Sequence, residues 1–341
     1  MRNISKFYSD TIEIFWHELR LLAYSPSTYL FQSFFLALLF IIIFLVADFM
    51  STDDSSINLL LTFFPWIAVI LVPALVMRLW PDNNFDRSVE LVMTLPMGTG
   101  AIVLGKFLAA YFVLFLTLIS TFPFLLTISY LGNPDYGVML SGYIGLALLL
   151  FLYCSIAIFF TSLINEPIGS FITSLGFLFI LLFLGWDVFG RFLKQNTPPG
   201  LIELLALYSP VTWLTQMGQG LVKFGGVLYF VFSSLGALVI TYIFLEIKRR
   251  QKSTSSANKI KKFSLISVFI FVWIGLIPII ESFSLKLDLS EGKEFSLNDA
   301  TIEILKKLPN DTTVTLYWSS SETSVPVNIK LHARRIRSVI K

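Results

Sequence analysis

Seven apolar runs of membrane-spanning length occupy the chain, and none carries Asp, Glu, Lys, Arg or His in its middle. They fall at Tyr29–Ala47, Ile57–Met77, Phe107–Tyr130, Gly137–Leu163, Pro167–Trp186, Val227–Leu245 and Phe263–Ile280. A bilayer core about 30 Å thick takes roughly 20 residues of helix, and in lipid only helices and closed barrels satisfy every backbone amide. The expected fold is therefore an all-α polytopic membrane protein. Pro65, Pro73 and Pro123 fall inside predicted spans and predict kinks. Trp80, Tyr130 and Trp186 fall at span ends, where interfacial anchors belong. Pumps driven by an ion gradient relay that ion through ionisable groups at depth. Runs without such groups point to a passive path, with the engine on another protein.

Composition excludes a soluble fold. With 55% hydrophobic residues, 14% charged and 34 Phe, and a mean hydropathy of +0.78, the chain has more apolar surface than one water-soluble core can hide. The net charge of +3 sits almost entirely between the spans, so it marks topology and not a nucleic-acid partner. Cys154 is the one cysteine and lies in an apolar run. Disulfides, zinc clusters and redox pairs within the chain are thereby excluded, and Cys154 reads as a small helix hydrophobe.

Residues 1–28 read as a cytoplasmic surface, or elbow, helix. Tyr8, Ile12, Phe15, Leu19 and Leu22 recur at three- and four-residue steps, with Lys6, Asp10, Glu13, His17 and Arg20 on the opposite side. That amphipathic pattern suits a helix lying along the membrane, not a cleaved export signal. Ser25-Pro26 then turns the chain inward. Basic residues fix the orientation. With the N-terminus cytoplasmic, inner segments hold Arg2, Lys6, Arg20, Arg78, Arg87, Lys106 and the whole Lys248–Lys262 tract, against Arg191, Lys194 and Lys223 outside. The 248–262 linker serves as a topology anchor, with contact to anionic membrane lipids as its alternative role.

The inner segment 80–106 is the most informative loop. It contains Asp86-Arg87-Ser88-Val89-Glu90-Leu91-Val92-Met93-Thr94-Leu95-Pro96, then Ile102-Val103-Leu104-Gly105-Lys106. A short amphipathic helix closed by Pro96 and a glycine-bearing turn makes a rigid knob that can transmit a push. The run from Arg87 to Ala109 resembles the cytoplasmic coupling segment of type 2 ABC exporter permeases, approximately E-E-x-R-x-G-T-I-E-L-L-L-T-L-P-V followed by I-V-L-G-K-F-L-A. Glu90-Leu91, Thr94-Leu95-Pro96 and Val103 to Ala109 carry the likeness. Pro73 to Trp80 before it and Ser129 to Asp135 after it resemble the gliding-motility (GldF) branch. The resemblance spans about residues 4 to 247. Pro81-Asp82-Asn83-Asn84 replaces the acidic pair ahead of Arg87, and the Gly-Thr step is missing.

What the resemblance implies is a six-span permease over 29–247 that forms a homodimer or pseudo-dimer in the bacterial inner membrane. A separate ABC ATPase subunit would grip Glu13, His17 and Glu18 of the surface helix, together with Arg87, Glu90, Leu91, Thr94, Leu95 and Pro96 of the loop. It also implies that the outer region 187–226 holds short helices dipping back toward the bilayer. Leu201 to Leu207 is too short to span and Ser209-Pro210 turns the chain, but an amphipathic surface loop fits as well. No cofactor, metal or nucleic-acid partner is expected.

The seventh run, 263–281, and the tail 282–341 lie beyond that unit. An alternating stretch Phe283 to Leu289, a capping box at Ser296 and Asp299, a helix to Leu308 and a strand-like Val314 to Trp318 suggest a partial α/β extracytoplasmic segment. Leu285 to Ser319 resembles the start of a GldG-type auxiliary protein, so a fused or partnering auxiliary component is expected. Some 55 residues can hardly bury a full core, and the segment reads as incomplete, or completed by a partner.

Apparent catalytic motifs fail. Gly100 to Lys106 has G-x-x-x-x-G-K spacing, but Phe107 stands where magnesium binding needs Ser or Thr. His17 and His332 are the only histidines and fall on opposite membrane sides in this topology, so they cannot pair. Glu166, between spans four and five, reads as a polar turn or an ATPase contact. The expected function is the transport subunit of an ATP-driven exporter, not an enzyme itself. The competing expectation is a membrane anchor that passes ATP-driven motion to an outer domain while nothing crosses.

Overall fold

The computed structural model describes residues 2–51, 56–80, 98–164, 166–186, 204–250, 264, 267, 272–273, 275–281, 285–293, 295 and 307. Among them six helical segments are long and apolar enough to cross a membrane, and the chain is an all-α multi-pass membrane protein. The surface helix is α1 (Arg2–Tyr24). The spans are α2 (Pro26–Ile41, continuing as a π-helical turn to Val46), α3 (Asn58–Val76), α4 with α5 (Thr99–Ile119 and Phe122–Leu131), α6 (Tyr136–Leu163), α7 (Pro167–Leu184) and, after the short α8 (Pro210–Met217) and strand β1 (Leu221–Lys223), α9 (Phe224–Arg250).

The fourth span, α6, is the axis of the bundle. It packs against α3, α4, α7, α8 and α9, and Leu146, Leu149, Tyr153, Cys154 and Ala157 along it are fully or nearly fully buried. Aromatic edges fill the spaces: Phe35 meets Phe64 at 5.0 Å, and Phe107 meets Phe151 at 4.9 Å. Helices α2 and α7 sit outside, with 17% and 28% of their apolar windows buried against 72% for α3. Their outward Leu30, Phe34, Ile172 and Ile180 present the apolar surface that a lipid environment accepts.

The prolines behave differently from one another. Pro65 and Pro73 sit inside a continuous α3. Pro123 falls in the first turn of α5, after a break at Ser120–Thr121, because its ring opposes the carbonyl one turn earlier and it has no amide to donate. The Thr121 hydroxyl bridges the break, 2.7 Å from the Leu118 carbonyl and 2.8 Å from the Tyr143 hydroxyl. The third span also starts at Thr99, eight residues before the expected Phe107, so the 98–106 part of the loop is mostly helix.

The 204–224 region is no surface loop. Trp213, Leu214 and Met217 of α8 are 1–2% exposed, seated where Gly145 leaves room on α6; a β-carbon there would stand 2.8 Å from Leu214 Cδ1. Ser141 donates to the Met217 carbonyl at 2.6 Å, and Tyr229 to the Tyr208 carbonyl at 2.6 Å.

The chain beyond the sixth span returns to the end where that span began. Strand β2 (Lys286–Asp288) pairs antiparallel with β1, Leu221 opposite Asp288, and the Phe224 amide donates to the Leu285 carbonyl at 3.0 Å. Residues 275–281 are helical, with Ile277 fully buried and the Ile280 carbonyl close against Gly225. Since α9 is 27 residues, roughly 40 Å at 1.5 Å per residue, Ile280, beside Gly225, packs at the end of α9 opposite Arg250. Asp135 completes the clamp: one carboxylate oxygen caps α6 at the Val138 amide, 3.0 Å, and the other accepts from the Glu291 amide, 2.9 Å. The expected Ser296–Asp299 capping box, the helix to Leu308 and the strand Val314–Trp318 lie outside the described residues.

Candidate functional site

Polar chemistry concentrates at the opposite end of the bundle, where α1 crosses the start of α4. Three faces divide α1. Thr11, Ile14, Glu18 and Leu22 recur at helical steps and turn inward. Tyr8, Ile12 and Trp16 form an exposed apolar side, and Lys6, Glu13, His17 and Arg20 form the exposed polar side. The expected apolar stripe thus splits, with Leu19 and Leu22 packing on the core while Tyr8 and Ile12 face outward. Gly105 makes the crossing close, since a β-carbon there would lie 2.6 Å from Ile14 Cγ2 and 3.1 Å from the Thr11 carbonyl.

A buried ion pair locks this crossing. Lys106 Nζ lies 2.5 Å from Glu18 Oε1, with the two side chains 8% and 12% exposed, and also donates to the Leu79 carbonyl at 2.7 Å. The ammonium stands 5.2 Å from the centre of the Trp80 ring. A charge taken from water needs a partner and hydrogen bonds to offset desolvation, and Lys106 receives both. Leu79 and Trp80 follow the second span and Lys106 lies in the third, so one side chain ties the surface helix to both flanks of the 81–97 segment. Nearby, Thr99 donates to Glu246 Oε2 at 2.6 Å and accepts from Arg249 at 3.2 Å, fastening the third span to the sixth. A cavity of about 320 Å³ opens between these elements.

The sequence-predicted residues divide into three groups. Glu13 and His17 are exposed and share a shallow hollow on α1 with Trp16, Arg20 and Tyr24. Glu18 is buried on the inward stripe, so its carboxylate meets Lys106 and not the exposed hollow. Arg87, Glu90, Leu91, Thr94, Leu95 and Pro96 lie outside the described residues, as does His332. Glu166 is exposed at the N-cap position of α7. Gly100 to Lys106 lies wholly within α4, a helix that cannot wrap a phosphate as a loop does. Among the described residues, no three His, Cys, Asp or Glu side chains come together as a metal site.

Sequence reasoning placed Lys106 in the loop and missed both its pairing and the Thr99–Glu246–Arg249 group. The available signal was Glu18 itself, the one carboxylate out of register with the polar face. No protein-family model matches the chain, and comparison with curated proteins gives no match.

Proposed function

We propose that this chain is the transmembrane permease subunit of an ATP-driven ABC exporter, coupling hydrolysis on a separate ATPase chain to export across a bacterial inner membrane, in a gliding-motility context. The observation that carries the reading is the buried Glu18–Lys106 pair. Together with the Lys106–Leu79 bond it makes the surface helix and the loop's two flanks one mechanical body, which is what a lever driven from the inner face requires. The charged groups within the six spans, Lys106 in the third and Glu246 in the sixth, lie toward one end of the bundle and are tied to Glu18 and to Thr99, so no chain of ionisable groups at mid-depth supports an ion relay among the described residues. Glu13 and His17, sharing an exposed hollow, are suited to meet the partner directly; Glu18 acts through Lys106 as a positioning residue. In this orientation the N-terminus is cytoplasmic, the seventh passage delivers the C-terminal segment outside, and two copies, or one copy with a related permease, complete the path.

A test lies in the loop. Glu90→Lys in vesicles reconstituted with the ATPase subunit should leave ATP hydrolysis within about twofold of wild type and reduce export at least about tenfold, the loss of roughly 1.4 kcal/mol of coupling. Normal export by that variant would remove the loop from the mechanism.

The anchor reading, in which ATP-driven motion reaches an outer domain and nothing crosses, is favoured by one specific observation. The segment after residue 281 is bonded to the outer ends of the third-to-fourth and fifth-to-sixth connections, so a shift of those ends would move it. Under that reading hydrolysis depends on the outer partner and on no exported molecule.

A further inference from the structure

The geometry points to a binding site for one anionic phospholipid in the cavity beside the Glu18–Lys106 pair, with the headgroup phosphate on Arg78 and an acyl chain along the apolar lining. This inference requires only that the chain sits in a membrane, and stands apart from any ATPase. The cavity, about 320 Å³, lies among the amphipathic α1 and four span ends, the first turns of α2 and α4 and the last turns of α3 and α9, and in a bilayer span ends are where headgroups sit. Its apolar lining is Leu21, Leu22, Phe31, Leu75 and Ile102. Its charged lining is Arg78, Lys106 and Arg249 with Glu18 as the single carboxylate.

The cations are not equally engaged. Lys106 is satisfied by Glu18 and the Leu79 carbonyl, and Arg249 is occupied with Thr99. Arg78 is exposed and makes no hydrogen bond or ion pair among the described residues. Trp80 is 7% exposed, lines the same cavity, and its indole Nε1 is buried with no acceptor among the described residues. A guanidinium fork and an indole donor with no acceptor among the described residues, beside apolar lining, fit a phosphate that carries an acyl chain. Net positive lining selects an anionic headgroup over a choline one, whose own ammonium would oppose Arg78.

Native mass spectrometry of the delipidated full chain in detergent tests this, with dioleoylphosphatidylglycerol, dioleoylphosphatidylcholine and inorganic phosphate as separate probes. The first phosphatidylglycerol should bind at least about tenfold more tightly than phosphatidylcholine, and Arg78→Ala should abolish that difference, as expected for loss of one charged hydrogen-bonding partner. Arg78→Lys should restore part of it. Ala74→Phe, which fills the cavity from α3 without touching a charge, should weaken phosphatidylglycerol comparably while the melting temperature stays near wild type. Equal binding of the two lipids, or unchanged phosphatidylglycerol binding in both Arg78→Ala and Ala74→Phe, means annular lipid only and overturns the site. Tight inorganic phosphate with no lipid preference overturns it in favour of a soluble anion.

Discussion

Lys106→Met should destabilise the detergent-solubilised protein by about 3–5 kcal/mol, because it strands the Glu18 carboxylate at a site that is almost closed to water. Glu18→Ala should cost a similar amount from the other side, leaving the ammonium with the Leu79 carbonyl and the Trp80 ring but no counter-charge among the described residues. Each should lower the melting temperature by on the order of 10 °C. The double variant Glu18→Leu with Lys106→Met should recover most of the loss, since well-packed apolar residues replace a buried ion pair at little net cost. Additive losses in the double variant would mean that the two groups do not act as a pair. The double variant also separates structure from transmission. Stable protein whose hydrolysis no longer produces export would assign the pair a positioning role that a purely structural contact would not have.

The six spans were legible because the bilayer imposes a one-dimensional rule, a run of some 20 apolar residues, and Ile57 to Met77 or Gly137 to Leu163 satisfy it without reference to any partner. The rule fails where a charge is neutralised across the fold. Lys106 looked like the end of a loop since a lysine interrupts an apolar run, yet it is buried inside α4 because Glu18, 88 residues away, accepts its charge. Periodicity shows that Glu18 is off the polar face, but cannot say which cation it meets. Pro123 was readable as a perturbation, while its outcome, a helix restart and not a bend, depends on Thr121 and Tyr143 filling the gap. The β1–β2 pairing was invisible for the same reason. Three-residue strands have no period to detect, and their register is set by Gly220, at φ +88°, and by the close approach of Leu289 to Gly137.

That approach gives the second large effect. Gly137→Ala places a β-carbon 1.7 Å from the Leu289 carbonyl oxygen and 2.8 Å from its carbon, a backbone contact that no rotamer change relieves, so residues 285–293 have to leave the N-terminal end of α6. The Asp135–Glu291 and Gly220–Leu289 bonds should go with them, whereas α6, capped independently by Asp135 at Val138, should stay folded. Hydrogen exchange at Leu287 and Leu289 should rise by at least about tenfold, since local opening replaces a hydrogen-bonded ladder, with little change at Leu146 or Tyr153 in the core. Unaltered exchange would show that the segment can shift without releasing its bonds. The same variant discriminates between the two functional readings. A permease with the clamp released should still couple ATP hydrolysis to export, because the levers and spans are intact. An anchor should hydrolyse ATP normally but lose the response to its outer partner, since the contact through which motion reaches the C-terminal segment is the one the β-carbon displaces.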